Sequence, residues 1–301
     1  MAAKRKAGLR DWTLATLLLA TATGALPQTP AAPPQNPVRS PGNADWAPTI
    51  DEATRRAAAQ GKFLFVEFDR QGCGHCQRMD SLLYPAFDFE ALLIPMVPVK
   101  VSLDSNDGKE MARRHGIKET PAILIQSPEG RMIFLMEGFT TAPDFYEHAR
   151  QELDTYKAFA RRIEAQDIPR LEPREALDTG KELYQRGDSA GALPRLKRAA
   201  SAAGGTTAQR EEARELLAAV ELDGGNTAAS RQTIERLIAT TKDPRRRERA
   251  ELFRAQIPLA ENKLDEAYAL FLKFEKDHPK SPYLDQVRAL VARMSAPPSK
   301  P

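Results

Sequence analysis

Between residues 49 and 160 the apolar positions change rhythm repeatedly. "TIDEATRRAAAQGK" spaces its small and apolar residues at helical period and stops at Gly61, and "FLFVEF" follows as a short run of β-branched and aromatic side chains, which predicts a strand. "CQRMDSLL" and "FDFEALLI" predict helices, "MVPVKVSL" a strand, and "GKEMARRHG" a helix. "PAILIQ" and "RMIFLME" read as two strands joined by the turn "SPEG", and "APDFYEHARQELDTYKAF" as a closing helix. Helices interleaved with strands of this length predict an α/β unit with a central mixed sheet flanked by helices.

From Pro169 to Pro301 the strand rhythm is gone. "GKELYQRGDSAGALPRLKRAA" sets Gly180, Leu183, Ala192, Leu196 and Ala199 at the spacing of two helices joined by a turn. "KLDEAYALFLKFEKDHP" puts Ala267, Phe271, Phe274 and Pro279 at the corresponding second-helix positions. Small residues at Ala192, Ala229 and Ala267 recur and would let helices approach closely. The run "KDPRRRER" at 242–249 reads as a solvated helix start.

The front of the chain follows neither pattern. "MAAKRKAGLRDWTLATLLLATATGAL" has basic Lys4, Arg5, Lys6 and Arg10, an apolar run from Trp12 to about Leu19, and small residues offering cleavage after Ala22 or Ala25. That is the layout of a secretory signal peptide, and the apolar run is shorter than the roughly 20 residues that span a bilayer. Residues 27–48 hold Pro27, Pro30, Pro33, Pro34, Pro37, Pro41 and Pro48 with few apolar side chains, which predicts an extended tether. The expected organisation is a signal peptide at 1–25, a Pro-rich linker at 26–44, an α/β domain at 45–160, a linker at 161–171 and helical repeats at 172–296.

Composition narrows the functional classes. With 28% charged and 42% hydrophobic residues the chain is of ordinary globular type, long enough for about two domains. A formal charge of +3, part of it in the leader, gives no global basic field for nucleic acid, and no later segment is apolar enough to span a membrane. The basic leader and Pro-rich start are similar to those of bacterial exported proteins, which points to the periplasm.

Both cysteines of the 301-residue chain lie in "LFVEFDRQGCGHCQRMD", at Cys73 and Cys76. Half a metal site would need two more ligands, and His115, His148 and His278 stand singly, so neither metal nor cofactor is expected. "DSNDG" at 104–108 lacks the Gly and Glu spacing of a calcium loop and reads as a turn. An inert disulfide is the other alternative. A strand running into Cys-x-x-Cys and a helix is, however, the context of a redox dithiol.

Taken together, "FVEF" before "CGHC" and the later "GIKETPAILI" make residues Trp46 to Phe159 resemble a secreted thioredoxin-fold domain with a protein disulfide isomerase-like active site. The resemblance implies that Cys73 attacks, that Cys76 resolves the mixed disulfide, and that His75 stabilises the Cys73 thiolate. It further implies that Glu67 is a buried acid serving Cys76, and that a cis Thr120–Pro121 bond exposes Thr120 backbone to substrate. One position departs from the family: Gly72 stands where a Trp is usual, which removes a ring from beside the dithiol. The later half resembles tetratricopeptide repeats, with "HPKSPY" similar to a repeat junction, and such repeats imply peptide or protein binding. The expected function is therefore exported thiol-disulfide exchange on protein substrates, with an electron-transfer partner and repeats that recruit. The alternative is a non-enzymatic envelope scaffold whose thioredoxin-like domain is redox-inactive.

Overall fold

The computed structural model describes residues 4–5, 45–85 and 87–295. The expected signal peptide and Pro-rich linker lie outside the described residues, except for Lys4 and Arg5, whose backbone forms a two-residue strand, β1 (Lys4–Arg5). From residue 45 onward the described chain divides into two compact units, 45–166 with 185–188 and 167–184 with 189–295.

The first unit begins with α1 (Ile50–Gln60), which Thr49 caps by accepting from the Glu52 amide and Gly61 closes at φ 61°. Then follow β2 (Phe63–Asp69), α2 (Gly74–Leu83), α3 (Phe87–Leu93), β3 (Met96–Ser102), α4 (Asn106–His115), β4 (Ala122–Gln126), β5 (Met132–Glu137) and α5 (Ala142–Glu164). The strands lie in the order β1-β5-β4-β2-β3; β2 and β3 run parallel, while β4 is antiparallel to both β2 and β5. The sheet is thus mixed, with Glu67 opposite Lys100 on one side and Ile123 on the other.

Strand β2 is an inner strand, between β4 and β3, and is buried on both faces, which is why it reads as an unbroken apolar run. Leu64, Val66 and Phe68 face one way, packing with Val97, Val99 and Leu124 against Ala53 and Ala57 of α1 and Met111 and Ala112 of α4. Phe65 and Glu67 face the other way. There Phe65 meets Phe89 of α3 at 5.7 Å and Trp46 at 6.1 Å, and the Tyr146 hydroxyl of α5 donates to the Leu83 carbonyl of α2 at 2.6 Å. Full burial of a ring such as Phe65 stabilises by roughly 2–3 kcal/mol. At the outer edge, β3 is covered over Pro98 and Val99: Ala47 donates its amide to the Pro98 carbonyl at 2.8 Å and bridges to Val99.

Two elements run differently from the sequence expectation. The "DSNDG" segment is only half a turn, because the Ser105 hydroxyl accepts from the Gly108 amide at 3.0 Å and starts α4 at Asn106. Helix α5 continues to Glu164 instead of ending near Phe159, because buried Ile163 extends the stripe of Tyr156 and Phe159.

The second unit is helical: a short 3-10 turn at Ile168–Arg170, then α6 (Pro173–Gln185), α7 (Ser189–Ser201), α8 (Thr207–Asp223), α9 (Thr227–Thr240), α10 (Pro244–Ala260), α11 (Leu264–Asp277) and α12 (Leu284–Ser295). Gly180 brings α6 onto α7, since a Cβ there would stand 2.9 Å from Leu196 Cγ. Ala192 and Ala267 are fully enclosed in α7 and α11. In α9 the enclosed small residue is Ser230, not Ala229; its hydroxyl donates to the Ala218 carbonyl at 2.7 Å. The "KDPRRRER" run does start a helix, α10, capped by Asp243, but it is not fully solvated. Arg246 lies within 2.9 Å of Glu211 and Arg249 within 3.0 Å of Glu215, both acids belonging to α8. No helix among the described residues is long and apolar enough to cross a membrane.

Candidate active site

Strand β2 delivers the chain to a four-residue loop, Arg70 to Cys73, at the start of α2. Gly72 in that loop has φ +76°, a conformation that disfavours any side chain, and the space beside it is open. Cys73 is the N-cap of α2: its Sγ accepts from the Cys76 amide at 3.1 Å. The sulfur therefore stands where free backbone N–H groups and the helix dipole favour negative charge.

Cys73 and Cys76 are joined as a disulfide. Their surroundings differ: Cys73 is half-exposed, whereas Cys76, one turn inside, is only 3% exposed. Thr120 comes up beside the outer sulfur, its hydroxyl 3.7 Å from Cys73 Sγ, and the Thr120–Pro121 peptide is cis. His75 is exposed and lies against Phe139, with ring centroids 6.3 Å apart. Arg78, one turn along α2, covers the same Phe139 ring at 5.0 Å.

Glu67 lies beneath this surface with no solvent exposure. Its proton affinity is pushed up to about 8, first by burial and then by the neighbouring Asp80 charge, against the lowering effect of Lys100. Lys100 Nζ is 3.0 Å from Glu67 Oε1, and the same ammonium donates a hydrogen bond to Asp80 at 2.7 Å. Asp80 follows Cys76 by four residues on α2, so the two share a helix face, and the Asp80–Lys100–Glu67 contacts turn that face toward Glu67.

The structure thus gathers the sequence-derived residues Cys73, Cys76 and Thr120–Pro121 at one surface, with Glu67 below it and His75 at its rim. Sequence reasoning passed over Lys100, Asp80, Arg78 and Phe139. Lys100 did leave a signal: a single cation inside the apolar strand "MVPVKVSL" calls for an acid on the adjoining strand.

A family model described as thioredoxin-like domain matches residues 50–153. The mixed sheet and flanking helices of that segment have the thioredoxin-like fold. Among solved structures the chain is similar to a thioredoxin from Thermus thermophilus, at 28% identity and a TM-score of 0.34, over 36% of this chain and 85% of that one. It is also similar to a DsbH oxidoreductase, at 14% identity and a TM-score of 0.34, over 41% of this chain and 94% of that one. Comparison with curated proteins gives no match. Within the thioredoxin-like domain, a cysteine pair that forms a disulfide at a helix N-terminus points to a redox role.

Proposed function

We propose that the protein is an exported thiol-disulfide oxidoreductase that exchanges disulfides with protein substrates, and that the helical unit recruits its partners. The observation that carries this reading is the asymmetry of the dithiol: one sulfur is half-exposed at a helix start, and the other is buried on the face turned toward a proton-holding carboxyl group.

A substrate thiolate attacks Cys73 Sγ. The Cys73–Cys76 bond breaks as the substrate–Cys73 bond forms, and Cys76 leaves as a thiolate. Glu67, protonated over most of the neutral range, supplies the proton to Cys76 through water and is recharged from solvent. A second substrate thiolate then attacks the substrate sulfur of the mixed disulfide and releases Cys73 as a thiolate, which the helix N-terminus stabilises. The substrate has lost two electrons and two protons and gained a disulfide; the enzyme holds the dithiol, to be reoxidised by a disulfide partner. Run backwards, the same steps reduce a substrate. Thr120, whose hydroxyl reaches Cys73, is positioned to pair its backbone with an extended substrate segment.

Three features support the wider reading. The leader has the layout of an export signal, α6 to α12 are successive helices joined by short turns, and the helical unit holds a cavity of about 360 Å³ lined by Leu216, Ile234, Phe253 and Tyr283 among charged groups. The scaffold alternative draws on one observation, the open space beside Gly72 where a substrate-packing ring is usual.

Single-cysteine variants decide between them. Cys76→Ser should accumulate covalent mixed disulfides visible on a non-reducing gel, because the resolving thiol is gone; Cys73→Ser should trap few or none. Removing residues 170–301 from the trapping variant should narrow the captured set. Absence of adducts with Cys76→Ser in cells would defeat the enzymatic reading in favour of the scaffold.

A further inference from the structure

The exchange mechanism uses Glu67 but leaves unexplained why one ammonium faces three carboxylates. Lys100 Nζ is 3.0 Å from Glu67, 2.7 Å from Asp80 and 3.9 Å from Asp69. Three carboxylates around a single positive charge repel one another, which favours a proton on one of them. Exposure selects Glu67, which has none, whereas the Asp80 and Asp69 side chains are 32% and 26% exposed. Contact length agrees: the ammonium donates to Asp80 at 2.7 Å, and its approach to Glu67 is longer, 3.0 Å.

The other groups turned toward this cluster do not alter its balance. Cys76 of α2 is sealed in the disulfide, and the Tyr84 ring at the end of α2 lies 5.8 Å from the ammonium. Asp104 acts on Asp69 and is itself paired with Arg70 at 3.3 Å.

We propose that Asp80 is a positioning residue: by sharing the Lys100 ammonium with Glu67 through the shorter contact and placing its own negative charge in the same cluster, it favours the protonated Glu67 carboxyl group and so sets the pH range over which Glu67 can hand a proton to Cys76. The proposal rests on the exchange mechanism for its consequence, but its physical content is a property of the folded, oxidised protein.

The two sides of the ion pair act with opposite sign, which makes the test sharp. Asp80→Asn frees the ammonium for Glu67, so the Glu67 titration midpoint should move down by about one pH unit. Lys100→Met removes the cation, so the midpoint should move up. Asp80→Glu should restore the original value. The midpoint is read on the full-length oxidised protein from the carboxyl carbon shift of Glu67 against pH, with Glu67→Gln identifying the signal. The pH profile of exchange with a small dithiol should follow in the same order.

A general loosening of the fold would lower the midpoint in both variants and would not be reversed by Asp80→Glu, so restoration in Asp80→Glu together with the upward shift in Lys100→Met separates the charge effect from loosening. A Glu67 midpoint unmoved by Asp80→Asn, moved the same way by both variants, or not restored by Asp80→Glu overturns the role of Asp80; if Asp80→Asn does not fold, Asp80→Ser takes its place in the same comparison. If the unmodified protein exchanges no disulfides at all, the exchange mechanism falls, and the carboxyl titration still decides what Asp80 does.

Discussion

At Glu67 burial ties folding to protonation. The group holds its proton to about pH 8 when folded and to about its ordinary 4.5 when unfolded. Between those values the folded chain binds a proton that the unfolded chain has released, so this residue's contribution is full below about pH 4.5 and is lost as pH rises toward 8. The slope is at most about 1.4 kcal/mol per unit. Glu67→Gln cannot ionise and should be progressively more stable than the unmodified chain from pH 5 to pH 8 in urea titrations; parallel curves for the two proteins would refute the burial argument. The cysteines and Glu67 were legible because they lie within ten residues of one another, in an order that carries chemistry. Lys100 left a signal only in its own strand, and Asp80 left none, because both reach the cluster through the register of β2 on β3 and the docking of α2, which no local pattern encodes.

At the scale of elements, the rhythm of apolar positions located every strand of the four-stranded core, because buried strands and amphipathic helices have different periods. Ends were harder to read. A single serine hydroxyl starts α4, and one more buried isoleucine prolongs α5, and neither shifts the average pattern. In the helical unit the small-residue repeat was one place out at Ala229, since the enclosed residue of α9 is a serine satisfied by a backbone carbonyl and a hydrophobic scan skips it. The same unit offers a clean test of helix approach. Gly180→Val would press methyl groups against Leu196, which is fully buried, and should cost about 1–3 kcal/mol of stability in thermal or denaturant unfolding. An unchanged midpoint would mean that α6 and α7 are not held as closely as the Gly180–Leu196 geometry requires.

For the molecule as a whole, the proposed export of the chain carries a test of its own. If residues 1–25 direct export, mass spectrometry of protein recovered from a bacterial periplasm should find a mature chain starting at Thr23 or Leu26; a chain still beginning at Met1 would show that the leader is not removed. Removal would also take away β1, leaving β5 as a bare edge while β3 stays covered. That contrast bears on self-protection. An open sheet edge offers unpaired backbone N–H and C=O groups to any extended strand and so invites aggregation. Ala47 seated on Pro98, a residue with no amide hydrogen to offer, blunts the β3 flank over Pro98 and Val99.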